Sequence, residues 1–244
     1  MRNFKLIVEY KGTDYSGFQK QPSQPTIQGV LEETFSRILQ EEIAVIGAGR
    51  TDSGVHAKGQ VVNFYLQSDM ECGRLRWSAN SLLPPDIVIA EATEVSESFH
   101  ARRNARSREY KYLILNRDHS SPFWNELAYF YRRPLDIHLM QEASKFLEGE
   151  HDFSSFCAAE SKPQKCIRKI ETITINKKDD LVHLDVRANA FLHNMVRIIV
   201  GTLLLVGAGE MEPDQIPLIL TEKDRKSAGP TVPACGLFLM RVNY

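Results

Sequence analysis

Several marks of common function classes are missing from this chain. Its four cysteines, Cys72, Cys157, Cys166 and Cys235, lie far apart in 244 residues, with no CxxC pair and no histidine at zinc spacing. Neither a disulfide framework nor a structural zinc site is therefore expected, and reduced thiols in a cytosolic protein are the simplest account. The seven histidines are equally dispersed, so the expectation is no protein-built metal site and no cofactor. No apolar run approaches the roughly 20 residues of a membrane span. The longest, Ile198 to Val206, is broken by Gly201 and Thr202 and reads as a buried helix. Met1-Arg2-Asn3-Phe4-Lys5 passes straight into an alternating strand without an apolar signal core, which speaks against secretion. An excess of one charge is also lacking: the formal net charge is −1, so any nucleic-acid surface must be a local patch. There is no repeat of fixed period and no low-complexity segment.

What remains is an ordinary globular composition, 43% hydrophobic and 25% charged, in a chain long enough for one domain or two closely packed halves. Phe4 to Tyr10 alternates as a strand. Ile27, Val30, Leu31, Ile38 and Leu39 recur at helical spacing behind Thr26, an N-cap residue. Ile43 to Ile46 and Gln60 to Leu66 read as strands around a turn. Cys72 to Leu82 reads as a helix stopped by Pro84-Pro85, and Ile87 to Ala90 as a strand. A looser repetition follows: strand Glu109 to Leu115, helix Ile137 to Leu147, a hairpin of Ile167–Ile175 with Val182–Val186 turning at Lys177 to Asp180, helix Phe191 to Ala208, and strand Leu237 to Val242. These elements predict an α+β fold, two halves along one mixed sheet. The seam falls near residues 96 to 106, where apolar periodicity gives way to Ser, Asn and Arg. The expected division is residues 1–100, a basic connector 101–106, and residues 107–244.

Between the strands flanking residues 47 to 59 lies Gly49-Arg50-Thr51-Asp52-Ser53-Gly54-Val55-His56, which puts one carboxylate in a turn of small and polar residues. Loops on a rigid scaffold often carry chemistry. The turn residues can also do no more than bond their own backbone, with Gly54 supplying a positive φ. Arg50 and His56 flank the carboxylate with potential positive charge, which would favour its ionised, nucleophilic form. Gly-Arg-Thr-Asp-x-Gly-Val-His-Ala resembles the active-site motif of the tRNA pseudouridine synthase A family, in which the Asp is the nucleophile. Ser53 stands where that family more often has Ala. Five further blocks resemble the family in order: Glu9 to Gln19 with Thr26 to Glu32, Phe99 to Arg102, Arg108 to Tyr112, Asn189 to Arg197, and Gly229 to Ala234 with Gly236-Leu237.

The resemblance implies a pseudouridine-synthase-like fold, an extended, mixed but mostly antiparallel sheet with a central cleft between its halves. It also implies an enzyme that isomerises uridine to pseudouridine at positions 38, 39 and 40 of the tRNA anticodon stem-loop. Asp52 would be catalytic; Tyr110 would stack on the uracil, Leu237 would pack on its other face, Arg197 would lie near the carboxylate, and Arg50 would fill the vacated stack or meet a phosphate. A homodimer in the cytoplasm is implied too. Residues independently suggest RNA rather than DNA as the partner. Segment 102 to 111 sets Arg102, Arg103, Arg106, Arg108 and Lys111 against a single acid, Glu109, and runs into Tyr110 and Tyr112; cations interleaved with aromatic rings suit phosphates and unpaired bases. The same segment also fits a solvated linker followed by an ordinary strand. Tyr112 lies on the same strand face as Tyr110 and has an equal claim to the stacking role. Arg197 sits among apolar neighbours on the last helix, where it needs an anion or must reach solvent.

Two other functions fit parts of the chain. Asp52-Ser53-Gly54 has the Asp-Ser/Thr-Gly form of aspartic proteases, but that chemistry needs two such carboxylates, and no other Asp here has that continuation. A non-catalytic RNA-binding protein would keep the basic segment and Tyr110 and have no use for Asp52.

Overall fold

The structure is a computed structural model that describes residues 1–161 and 163–244. In chain order its elements are β1 (Arg2–Tyr10), α1 (Ile27–Leu39), β2 (Ile46–Gly47), β3 (His56–Leu66), α2 (Cys72–Leu82), β4 (Ile87–Val95), β5 (Ser107–Leu115), β6 (Tyr129–Phe130), α3 (Ile137–Lys145), β7 (Gly149–Asp152), β8 (Ile167–Lys178), β9 (Leu181–Ala188), α4 (Met195–Gly207), α5 (Ile216–Glu222) and β10 (Leu237–Asn243). Two compact units emerge, residues 1–106 with 238–244, and residues 107–237. Helices combine with strand pairs that are mostly antiparallel, which is the α+β class expected.

The first unit orders its strands β4-β1-β3-β10, with β2 paired to β3. Alternation in β1 buries Phe4, Leu6, Val8 and Tyr10, and period two is what puts all four on one face. The Phe64 ring of β3 stacks with Phe4 and lies 4.9 Å from Phe35 of α1, so α1 covers that face. Helix α1 begins where expected because the Thr26 side chain accepts the Gly29 N–H. Strand β10 joins β3 in parallel, Phe238 opposite His56 and Leu239 opposite Ala57. That pairing is why the last strand, expected in the second half, clusters with the first.

Residues 101–106 are tied into the first unit. The Asn63 Oδ1 accepts the Ala101 N–H, the Asn63 amide donates to Asn3, and Asn3 in turn donates to the carbonyls of Ser96 and Phe99. The Tyr244 hydroxyl donates to the Ala101 carbonyl, and the Arg106 N–H donates to the Asn243 carbonyl.

The second unit orders β5-β9-β8-β7, with β6 parallel to β5. The β8–β9 hairpin pairs Lys178 with Leu181 across a two-residue turn in which Asp179 takes a φ of 53°. This is tighter than the four-residue turn read from sequence, because Asp tolerates the left-handed region. Helix α4 is buried on nearly every side, Ile198, Ile199 and Leu203 completely. It starts at Met195 rather than Phe191, since Asn194 has a φ of 61° and interrupts the helical path. His193 and Asn194 thus precede the helix they were expected to ride on. Ile43 to Ile46 also departs from expectation. Ile43 and Val45 are buried, yet only Ile46–Gly47 pairs as strand; burial alone made the run look like one.

Candidate active site

The Asp52 turn is held by the loop after β1. Ser53 and Gly54 are its central residues: the Val55 N–H donates to the Asp52 carbonyl at 3.1 Å, and Gly54 has a φ of 75°, the positive value that this position favours in a type II turn. From the facing loop the Phe18 N–H donates to the Thr51 carbonyl at 3.0 Å, and Ser53 Oγ donates to the Tyr15 carbonyl at 3.1 Å. The Gly12 N–H donates to His56 Nδ1 at 3.0 Å. A Cβ at Gly12 would stand 2.1 Å from the Val55 carbonyl oxygen, and one at Gly17, whose φ is 89°, 2.8 Å from that of Thr51. The two glycines are therefore what lets the loop lie against the turn. Sequence reading noted their block but not this role, which depends on a contact some 40 residues away.

Beneath the turn lies a buried polar chain. The Thr51 and Tyr10 hydroxyls are 2.8 Å apart, and Gln60 Nε2 donates to the Gly49 carbonyl at 3.0 Å and, more weakly, to the Tyr10 hydroxyl. Burial pushes the Tyr10 phenol up to about 12, so it stays a neutral hydrogen-bonding group at physiological pH. The β1–β3 register shifts between Val8 and Tyr10. A bulge of this kind re-aims a side chain beside a functional site.

These contacts correct one expectation. His56 does not add charge to the turn: it is buried, and its Nδ1 accepts a hydrogen bond, whereas the imidazolium form would carry protons on both nitrogens. His56 is a structural residue that also lies 4.7 Å, ring to ring, from Phe238. Arg50 is exposed and Asp52 half-buried. Arg102, Arg103 and Arg106 are exposed on a turn pinned by His100, whose Nδ1 accepts from the Arg102 and Arg103 backbones while Asn104 Oδ1 accepts the His100 N–H.

The second unit carries the remaining candidates, Tyr110, Arg197, Leu237 and Arg108. It also separates the two tyrosines that sequence could not. Tyr112 is fully buried, its hydroxyl donating 2.7 Å to the Pro233 carbonyl, and burial pushes its phenol far above the usual range. A Cβ at Gly236 would come within 3 Å of its ring. Tyr112 is thus a strut under the segment leading to Leu237. Tyr110 is half-buried and meets Phe191 edge to face at 5.1 Å. Phe191, from the loop before α4, is a supporting residue that sequence reading did not single out.

Arg197 is half-buried rather than enclosed: its Nε donates to the Val232 carbonyl at 2.7 Å, and one terminal nitrogen donates to Asn194 Oδ1 at 2.8 Å. The guanidinium plane is therefore fixed by the chain itself. Leu237 is buried at the start of β10, and Arg108 donates to the Asn189 carbonyl. Among the described residues, no group of three or more His, Cys, Asp or Glu is placed to hold a metal ion, and no helix is long and apolar enough to cross a membrane.

A family model described as tRNA pseudouridine synthase matches residues 6–102 and 143–244. The chain belongs to the tRNA pseudouridine synthase family. Among curated relatives, the tRNA pseudouridine synthase A of Thermoanaerobacter sp. (strain X514) is 44% identical over 244 residues, covering all of both chains, as does that of Brevibacillus brevis at the same identity. The tRNA pseudouridine synthase A of Bacillus pumilus is 43% identical over 98% of each chain. Residues 9 to 19, the Asp52 turn and the segment from Asn189 to Leu237 all lie in the matched stretches of the tRNA pseudouridine synthase model, while Tyr110 lies between them.

Proposed function

We propose that this chain isomerises uridine to pseudouridine at positions 38, 39 and 40 of the tRNA anticodon stem-loop, with Asp52 as the nucleophile. The reaction breaks the N1 to C1′ bond and joins the same sugar to C5; the C5 proton leaves and N1 gains one, so neither redox partner nor energy source is needed. Because the target atoms are stacked in the stem, the nucleotide is first flipped into a pocket, at a cost of a few kcal/mol. Asp52 attacks C1′ of the ribose or C6 of the base. Tyr110 and Leu237 take the two faces of the uracil, Arg197 supplies positive charge to the site, and Arg50 occupies the vacated stack or a phosphate. Arg102, Arg103, Arg106 and Arg108 grip the backbone. The observation that carries this reading is the Asp52 turn itself: a half-buried carboxylate on backbone held by Phe18, Tyr10 and Tyr15 inside a family of pseudouridine synthases.

Tritium release from tRNA transcripts carrying 5-tritiated uridine, followed by mapping of the product positions, tests it. Release with no added cofactor or metal is expected; a chain that binds tRNA without releasing tritium is a binding protein. With a net charge of −1 and one short basic segment, a single subunit offers a small footprint for a tRNA. We infer a homodimer in the cytoplasm as the working form, in line with the family resemblance, and sedimentation as a monomer would remove the dimer.

The tyrosines give a second expected outcome. Tyr110→Phe should bind tRNA normally, whereas Tyr110→Ala should raise KM by roughly 5- to 150-fold, the equivalent of about 1–3 kcal/mol of base stacking. Tyr112→Phe should instead lower the melting temperature with little change in KM, because it removes the hydrogen bond that ties the buried Tyr112 side chain to the Pro233 carbonyl. Normal turnover by Tyr110→Ala beside a dead Tyr112→Ala would reverse the assignment.

A further inference from the structure

Beyond the Asp52 and Tyr110 regions, the second unit contains a preformed loop with unexplained features. Residues 116 to 128 connect β5 to β6, and both ends close on the sheet because Ile114 pairs with Tyr129 and Leu115 with Phe130. Asn116 donates to the carbonyls of Tyr131 and Arg133. Arg117 donates to the carbonyls of His119 and Ser120 and to Asp180. Within the loop, Trp124 N–H donates to Ser121, and the Leu127 and Ala128 N–H groups donate to the Trp124 carbonyl. Compact loops with joined ends and internal bonds are often functional. This one lies outside both stretches matched by the family model.

Two observations say what it meets. Phe123, at the tip, is 86% exposed, a large apolar ring held in water by a loop too well bonded to let it collapse inward. The next residue, Trp124, lines a cavity of about 220 Å³ together with Tyr129 and Phe130, all half-buried, and with the polar Ser120, Ser121 and Asn125. Aromatic walls with a few hydroxyl and amide groups match a planar heterocycle that has hydrogen-bonding edges. The volume is below the ~300–1,000 Å³ of clefts for drug-sized ligands, so it suits one ring. Strand β5 runs from Tyr110 into this loop, and five residues at about 3.3 Å put Leu115 roughly 17 Å further along. Arg132, exposed just after β6, adds a cation.

We propose that the loop is a second base-binding site: Phe123 and the adjoining cavity take an unpaired nucleobase of the bound tRNA, away from the uridine being isomerised. The proposal rests on tRNA being the substrate. It adds to binding and register, not to bond making, so its signature is in KM rather than kcat.

The test compares wild type with Phe123→Ala and Phe123→Trp on full-length tRNA. The alanine variant should raise KM roughly 5- to 150-fold, as loss of one stacked base does, with kcat at saturation and the melting temperature unchanged because the ring is exposed. The tryptophan variant should bind as wild type. In parallel, a Trp77→Phe, Asp52→Ala protein leaves Trp124 as its only tryptophan, and its fluorescence should change on titration with full-length tRNA. An alanine variant with wild-type KM, or Trp124 fluorescence indifferent to saturating RNA, overturns the site. An altered sedimentation coefficient with unaltered KM overturns it too, and makes the loop a protein contact. Failure of the parent reading looks different, since wild type itself would then form no pseudouridine.

Discussion

Asp52→Asn is expected to abolish pseudouridine formation, by a factor on the order of 10⁴ or more, the scale on which removing a covalent nucleophile acts, while leaving tRNA affinity within a few fold. The separation follows from how the turn is built. Thr51 is fixed by Phe18 N–H and by Tyr10, Ser53 by the Tyr15 carbonyl, and Val55 by the Asp52 carbonyl. Asparagine matches aspartate in size and shape, so with these contacts in place the Asn variant keeps the turn's form and loses the charge. Affinity for a polyanion comes mainly from phosphate contacts, and the exposed Arg102, Arg103 and Arg106 are unaffected. Single-turnover product formation and filter binding measure the two quantities separately. Turnover by the Asn variant within about tenfold of wild type would falsify the nucleophile assignment, because an amide cannot supply the attacking carboxylate.

Features governed by local chemistry were readable in the sequence. Thr26 caps α1, Gly54 takes the positive φ, alternation in β1 sets its buried face, and Asp179 turns the β8–β9 hairpin. Features decided by distant contacts were not. Nothing local in Ile43 to Ile46 shows that only Ile46, with Gly47 after it, finds a strand partner, and nothing around Asn194 shows its left-handed φ. The last strand was assigned to the second half because it follows that half in sequence, whereas its pairing with His56 and Ala57 is made across some 180 residues.

The site divides the same way. A turn rich in small and polar residues around Asp52 is visible as composition, and the family motif marks it further. The protonation role of His56 is not, since it depends on the Gly12 N–H arriving at Nδ1. Tyr110 and Tyr112 share a strand face and cannot be told apart by a period of two. Only the Pro233 carbonyl and Gly236, more than a hundred residues downstream, commit Tyr112 to a structural role.

Gly201→Ala is the substitution for which sequence and structure give opposite signs. In the interior of α4, propensity alone predicts that alanine stabilises by about 1 kcal/mol. In the fold, a Cβ at Gly201 would lie 1.8 Å from the Pro230 carbonyl oxygen, and a Cβ at Gly229 would lie 2.6 Å from the Thr202 backbone. The two glycines let the 229–232 segment lie directly on the helix, where Thr202 Oγ1 accepts the Gly229 N–H and donates to the Ile198 carbonyl. Neither side can yield cheaply. Thr202 is completely buried, and Arg225 ties the segment down through the Ala228 and Gly229 carbonyls and Thr231. Overpacking of this kind costs about 1–3 kcal/mol, which should lower the melting temperature by roughly 2–12 °C in a chain of this size. The displacement also reaches the site, because Val232 receives the Arg197 Nε donor and Pro233 receives the Tyr112 hydroxyl. A kcat reduced beyond what the unfolded fraction explains is therefore expected well below the melting point. A melting temperature raised by Gly201→Ala would mean that helix propensity outweighs the contact and that the 229–232 segment is not held against α4.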